Sequence, residues 1–366
     1  MTHVEYMEYS HGKRTYSHDE CSCSNERHDI GDQNRSSDTQ TDTQTTTYIS
    51  SDEKVDNVAA NSTIDKPVES ASATNYTQQH ERNGMSKADT QFIRMCSDII
   101  EHGTTNNSEL VRPHWEDGTP AYTIKQFGVC NRYDLREEFP ALTLRRTALK
   151  SAMDEVLWIY QKKSNNIHDL KSHIWDQWAD ETGSIGKAYG YQIAQVSHYP
   201  EGDMDQMDKA LYDLKHTPFS RRIITNMYTF ADLSEMHLYP CAYSVTYNVT
   251  QGPNDPKPVL NMLLMQRSQD ILAANNWNVA QYAILLMMVA QTCKMQAGQL
   301  VHIISDAHIY DRHIPIIKEL ITRPTYPAPS VTLNPEIDDF YAFTTDDLIV
   351  ENYQHGPQVK NIPIAI

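Results

Sequence analysis

Tyr243-Ser244-Val245-Thr246-Tyr247-Asn248-Val249-Thr250, then Gly252-Pro253-Asn254-Asp255-Pro256, then Val259-Leu260-Asn261-Met262-Leu263-Leu264-Met265 are the three stretches on which the fold turns. The first alternates and reads as a strand. The second is built from turn residues. The third is the antiparallel partner of the first. Beyond them, Asn278 to Met295 is strongly apolar and predicts the central helix of the core, and Leu300 to Ser305 predicts a buried strand. Strands and helices do not alternate strictly, so the fold class is α+β rather than a doubly wound sheet.

Working outward, a helix is expected from about Lys87 to His102, with Phe92, Met95, Ile99 and Ile100 at helical spacing and Gly103 as its stop. A polar loop follows over 104–120. Strand-like runs cover Ala121 to Cys130 and then reach Leu144. A second helix is expected from Thr147 to Lys162. Its buried stripe is Ala152, Val156, Leu157 and Tyr160, and Glu155 falls beside that stripe, where a carboxylate needs a partner or a task. Aromatics and glycines crowd 166–196. A helix over Met204–His216, a strand from Arg221 and a helix over 308–322 complete the expectation.

Residues 1–88 are almost wholly polar and cannot bury enough apolar surface to offset chain entropy, so they read as a disordered extension. Residues 89–366 form one catalytic-sized domain. The net charge of −17 lacks the basic excess of a general nucleic-acid binder, so no nucleic acid is expected and any anion must be held locally. Six scattered cysteines are no disulfide framework. Cys21 and Cys23 could bind a metal, but no second pair completes a site, so no metal is expected. No long apolar span or signal-peptide core is visible, and a cytoplasmic, reducing setting with no membrane partner follows.

Three segments carry chemistry: Ser220-Arg221-Arg222, Pro240-Cys241 and Gln266-Arg267-Ser268-Gln269-Asp270. Guanidinium forks match phosphate, so these arginines suggest a phosphate monoester site, while surface ion pairing is the plain alternative. Cys241 is either an inert buried thiol or a nucleophile favoured by a cation such as Arg267. His308, Tyr310 and Asn278 offer directed hydrogen bonds to a sugar and a base edge, or else satisfy one another in the core.

Together these segments resemble the thymidylate synthase family from about residue 89 to Ile366. The resemblance rests on Glu155-Val156-Leu157-Trp158, His173-Ile174-Trp175-Asp176-Gln177-Trp178, Tyr189-Gly190, Ser220-Arg221-Arg222-Ile223, Pro240-Cys241, Gln266-Arg267-Ser268-x-Asp270, Asn278-Val279-x-Gln281-Tyr282, Asp306-Ala307-His308-Ile309-Tyr310 and Ile364-Ala365-Ile366. The loop Val111 to Pro120 looks like a Bacillus or Bacillus-phage branch. The resemblance implies a mixed sheet packed with helices, a sheet-to-sheet homodimer, dUMP as substrate and 5,10-methylenetetrahydrofolate as co-substrate. Cys241 would add to C6 of the pyrimidine. Arg112, Arg267, Ser268 and Gln266 would hold the nucleotide, with Arg221 and Arg222 donated across the interface. His308 and Tyr310 would hold the sugar, and Asn278 would read uracil rather than cytosine. Glu155 and Tyr189 would manage protons, with Arg267 and Asp270 also in the catalytic set. Trp175, Asp270 and Ile366 would contact folate.

The chain departs from the family at Ala242, where most relatives carry His, at Ser305, and in Ala273-Ala274-Asn275-Asn276-Trp277, where the family reads Leu-Gly-x-Pro-Phe. Asn275 and Asn276 could hold a water and Trp277 could displace the pterin. On that basis the expectation leans to a deoxyuridylate hydroxymethylase making 5-hydroxymethyl-dUMP for modified phage DNA. Trp175, Tyr189 and the Ile-Ala-Ile terminus argue for thymidylate synthase, making dTMP and dihydrofolate, as the alternative. A catalytically inactive nucleotide- or RNA-binding homologue is the second alternative.

Overall fold

A computed structural model describes residues 85–106 and 110–366. The disorder expected of the N-terminal extension, and Cys21 and Cys23, lie outside the described residues apart from 85–88. There the body already begins: the Ser86 side chain caps helix α1 (Lys87–His102) by accepting from the Asp89 N–H. The helix ends as Gly103 turns to extended backbone, and glycine is required there because an added Cβ would sit 2.3 Å from the Ile99 carbonyl oxygen.

Strands β1 (Thr104–Asn106) and β2 (Thr123–Asp134) follow. Helix α2 (Leu149–Val156) passes into a π-helical turn over Leu157–Gln161. The widened turn closes with Lys162 N–H donating to Leu157 O at 2.8 Å. A small hairpin, β3 (Ser197–Tyr199) and β4 (Gly202–Met204), leads into α3 (Gln206–His216), capped by Asp205. Then come β5 (Ile224–Asn226), β6 (Ala242–Thr250), β7 (Val259–Gln266), β8 (Gln269–Asp270), α4 (Asn275–Thr292) and β9 (Gln296–Tyr310). Helix α5 (Ile314–Leu320) and the pair β10 (Ser330–Leu333) and β11 (Leu348–Glu351) finish the chain.

The main sheet runs β1-β2-β9-β7-β6-β5, with β8 beside β9. It is mixed: β7 and β8 run parallel to β9 and the other pairs are antiparallel. Helix α4 makes the crossover between parallel β7 and β9, as the parallel pair requires. Buried on nearly all sides, it packs with α2 against the sheet face that carries Met262, Leu264 and Leu300. The opposite face, with Leu263, Met265, Val301 and Ile303, stays half-open.

Two expectations need correction. The helix expected over 308–322 starts only at Ile314. His308 and Tyr310 instead extend β9, which stays paired with β2 as far as Tyr310 opposite Thr123. Pro315, in the first turn of α5, was the available signal, since proline belongs at helix starts. The strand-like reach to Leu144 ends at Asp134, and 141–144 is held by contacts instead. Buried Asp89 accepts from the Thr143 N–H at 2.8 Å and from the Thr143 hydroxyl.

Candidate active site

Cys241 stands at the entry to β6, after buried Pro240. The β6–β7 register shifts between Ala242 and Ser244, and Arg267 N–H donates to Cys241 O at 2.9 Å, so the ends of the two strands stay together. Arg267 is fixed by donating to Pro240 O at 3.0 Å and Tyr239 O at 2.7 Å. Its Nη2 then lies 3.7 Å from Sγ of Cys241. The sequence expectation that a guanidinium adjoins the thiol therefore holds. Burial pushes the Cys241 thiol up, and Arg267 and Arg112 partly offset it.

Tyr189 supports this corner from behind. Its hydroxyl accepts from the Cys241 N–H at 3.2 Å, and its ring meets Trp175 edge-on at 4.8 Å. Tyr189 holds φ at 48°, a conformation that costs a non-glycine residue on the order of 1–3 kcal/mol. The next position must be glycine, because a Cβ on Gly190 would lie 2.1 Å from the Ser164 carbonyl oxygen. The Tyr-Gly pair is thus a sharp turn that brings a phenol to the backbone of Cys241.

Glu155, on the last turn of α2, is buried and bound at both oxygens. Trp175 Nε1 donates to Oε1 at 3.0 Å and Trp277 Nε1 to Oε2 at 2.7 Å. Burial raises its pKa, and the two indoles and Gln281 work against that rise. The Trp277 contact was invisible in sequence, since it joins positions on α2 and α4 far apart in the chain.

Asn278 accepts at Oδ1 from Gln266 and Gln269 and donates from Nδ2 to Gln281 at 2.8 Å. Gln266, expected on the nucleotide, is buried behind Asn278 and also touches His302. It orients a binding group and is itself closed off, because its position on β7 points into the core. His308 Nδ1 contacts Asp306 Oδ1 at 2.9 Å, and Lys125 anchors the other oxygen of Asp306 at 2.7 Å. The rings of His308 and Tyr310 meet at 5.0 Å, two residues apart on one strand. Burial pushes the Tyr310 hydroxyl up to about 12, so it is a donor at any physiological pH. Ser268 follows Arg267 and is half-buried. Arg221 and Arg222 are exposed before edge strand β5, and no hydrogen bond or ion pair among the described residues draws them to Cys241.

The thymidylate synthase family model matches residues 90–365. The chain belongs to the thymidylate synthase family. It is 39% identical over 280 residues to thymidylate synthase of Bacillus subtilis subsp. natto, covering 75% of this chain and 98% of that protein. The same identity, length and coverage hold for thymidylate synthase of Bacillus phage phi3T. The solved structure of thermostable thymidylate synthase A from Bacillus subtilis is 37% identical and superposes with a TM-score of 0.72, over 77% of this chain and 100% of that one. The protein is therefore a one-carbon-transferring enzyme with the family's α+β fold.

Within the family frame, the divergent loop 270–277 is more constrained than its sequence suggested. Asp270 Oδ1 accepts from the Leu272 and Ala273 N–H groups, both at 3.0 Å. Asn276 is committed at both ends: its amide donates to Thr147 Oγ1 at 3.0 Å, and its oxygen accepts from buried Arg145 at 2.8 Å. These two hydrogen bonds tie α4 to the segment before α2 and leave one amide proton and one lone pair of Asn276 unused. Asn275 is also buried, with an Oδ1 that bonds to no described residue. Ile366 is docked. It exchanges backbone hydrogen bonds with His114 at 2.8 and 3.0 Å, and His313 Nε2 contacts Pro363 O at 2.8 Å. The Nδ1 of His313 lies 3.5 Å from Asp270 Oδ1, a charge contact too long for a good hydrogen bond. Burial would lower the His313 pKa, but Asp270 raises it overall. Sequence reasoning missed His313, Arg145 and His302, which act through other groups and carry no motif of their own.

Proposed function

We propose that the chain is a thymidylate synthase proper, converting dUMP to dTMP. The observation that carries this reading is the docked C-terminus, pinned by His114 and His313 beside Asp270. Hydride transfer to a reactive carbon needs water kept away, and a closed terminus supplies that exclusion. Arg112, Arg267 and Ser268 hold the 5′-phosphate, His308 and Tyr310 the sugar hydroxyl, and Asn278 the base. Cys241 loses its proton and Sγ bonds to C6, so that C5 becomes the nucleophile. Methylenetetrahydrofolate supplies the one-carbon unit and the hydride. Glu155 holds or moves a proton near the base, Tyr189 supports Cys241, and Trp175, Asp270 and Ile366 line the folate side. Two chains pair through the half-open sheet face, each lending Arg221 and Arg222 to the other's phosphate.

The second reading, hydroxymethylation, is favoured by one observation: the unpartnered buried oxygen of Asn275 could accept from a water. One assay separates the two. The full chain is incubated with dUMP and methylenetetrahydrofolate. Formation of dTMP with equimolar dihydrofolate is expected, and a nucleotide heavier than dTMP by one oxygen atom, without dihydrofolate, would replace the synthase reading. A covalent ternary complex with 5-fluoro-dUMP is expected in either case. Its absence would leave only a binding protein.

A further inference from the structure

Among the buried hydroxyls that bond to no described residue, three stand together: those of Tyr160, Thr225 and Tyr247, each at most 1% exposed. They come from three different elements. Thr225 pairs with Val245 across β5 and β6, and the Tyr247 N–H donates to Ile223 O at 3.0 Å, so Thr225 and Tyr247 are diagonal neighbours on the inward face. Tyr160 reaches them from the π-helical turn after α2, a distortion that often marks a working part of a helix. Burial pushes the Tyr160 and Tyr247 hydroxyls up, and Thr225, beside both, works against that rise. The three are thus neighbours, yet none is aimed at another well enough to bond. A buried hydroxyl left unpaired is costly, and several facing one another are the setting in which a protein holds internal water.

The cluster has a neighbour at each end. At one end, the Tyr282 ring meets Tyr160 edge-on, with centroids 6.3 Å apart. Burial raises the Tyr282 hydroxyl, Tyr160 works against that rise, and nearby Tyr189 and Glu155 add to it. At the other end, Cys293 lies near enough to Tyr247 to raise its hydroxyl further beyond the effect of burial. Cys293 follows the last residue of α4. With Thr292, whose buried hydroxyl also lacks a partner among the described residues, it lines an open groove of about 640 Å³ beside Lys215 and Asp338. Tyr282 and Thr292 are about 15 Å apart along α4, so the groove opens far from the helix end that carries Trp277 and Asn278.

We propose that Tyr282, Tyr160, Thr225 and Tyr247, joined by internal water, form a proton path from the catalytic site to this groove. The inference rests on the one-carbon transfer to C5 of dUMP proposed above. In that transfer the C5–H bond breaks, its electron pair stays with the pyrimidine and its new carbon, and the proton must leave. The docked terminus that keeps water from the reacting carbon also closes the direct way out. Along the path each hydroxyl or water accepts one proton and passes on another. Water in the groove takes up one proton for each that enters beside Glu155 and Tyr189, and nothing is oxidised or reduced. No phenol has to ionise, which suits hydroxyls that burial holds in the neutral form.

The test uses Tyr160→Phe and Tyr247→Phe in the full chain. Each removes one hydroxyl from the path and keeps the ring, and neither breaks a hydrogen bond to a described residue. With dUMP and methylenetetrahydrofolate, kcat should fall about tenfold while KM for dUMP is kept. The ratio of rates in light and heavy water should rise, because proton release becomes the slow step. 5-Fluoro-dUMP has no proton at C5 to lose, so its covalent ternary complex should form in both variants at the wild-type rate. An unchanged kcat overturns the path, and so does a lower kcat with an unchanged solvent ratio. Slower ternary-complex formation in the variants would equally overturn it, since the hydroxyls would then serve packing around the site. A wild-type protein that forms no ternary complex would overturn the functional reading, and this inference with it.

Discussion

Glu155 shows how much a single residue owes to its neighbours. A carboxylate buried between two indoles would be expelled or neutralised unless both oxygens were bound. Here Trp175 and Trp277 bind one each. Replacing Trp277 with Phe keeps the ring and removes one donor. The Glu155 pKa should rise further, because the ionised form loses a hydrogen bond. If Glu155 works ionised, the acid limb of the kcat–pH profile moves to higher pH and kcat at neutral pH falls about tenfold, as for the loss of one charged hydrogen bond. An unshifted profile would mean that Trp277 serves packing alone.

At the scale of elements, Asp89 ties α1 to the segment before α2. It is buried, and burial raises its pKa to about 6 despite the hydrogen bonds from Thr143 and Leu144. The folded value lies above the ordinary 3.8, so the folded state binds this proton more tightly. Its contribution is complete below about pH 4 and is lost as pH rises through about 6. Asp89→Asn keeps an acceptor and does not titrate. Its stability relative to wild type, from urea melts, should therefore rise by about 2 kcal/mol between acid and neutral pH. A constant difference across that range would show that Asp89 is not protonated in the fold. Sequence periodicity located α1 and α4 well, since each buries a regular stripe or is buried all round. It misplaced the end of β9 and did not reveal the π turn after α2, because pairing with β2 and the Leu157–Lys162 contact are made with partners that local spacing does not show.

At the scale of the whole molecule, the half-open sheet face and exposed Arg221 and Arg222 belong to one prediction. If two chains share their sites, two inactive variants should rescue each other. Cys241→Ser lacks the nucleophile, and Arg222→Ala lacks the donated cation. Mixed after reversible dissociation, they form hybrids in which one site has both groups intact. Activity should recover to about a quarter of wild type, the share expected when random pairing makes half the dimers hybrid with one good site each. No recovery, with each variant folded, would place Arg222 in its own chain's site or outside any site.

The sequence alone determined the family and pointed to Cys241 and the groups proposed around it. Short motifs such as Pro240-Cys241 and Gln266-Arg267-Ser268 keep their chemistry in the order of the chain, and helix and strand periods are local properties. Tertiary structure decided what those groups can do. It showed that burial outweighs Arg267 at the Cys241 thiol, that Asn276 ties α4 to the segment before α2, and that Gln266 is buried against His302. Each of these depends on desolvation, or on a hydrogen-bond partner brought from a distant strand or helix. Neither exists until the sheet has closed over α4.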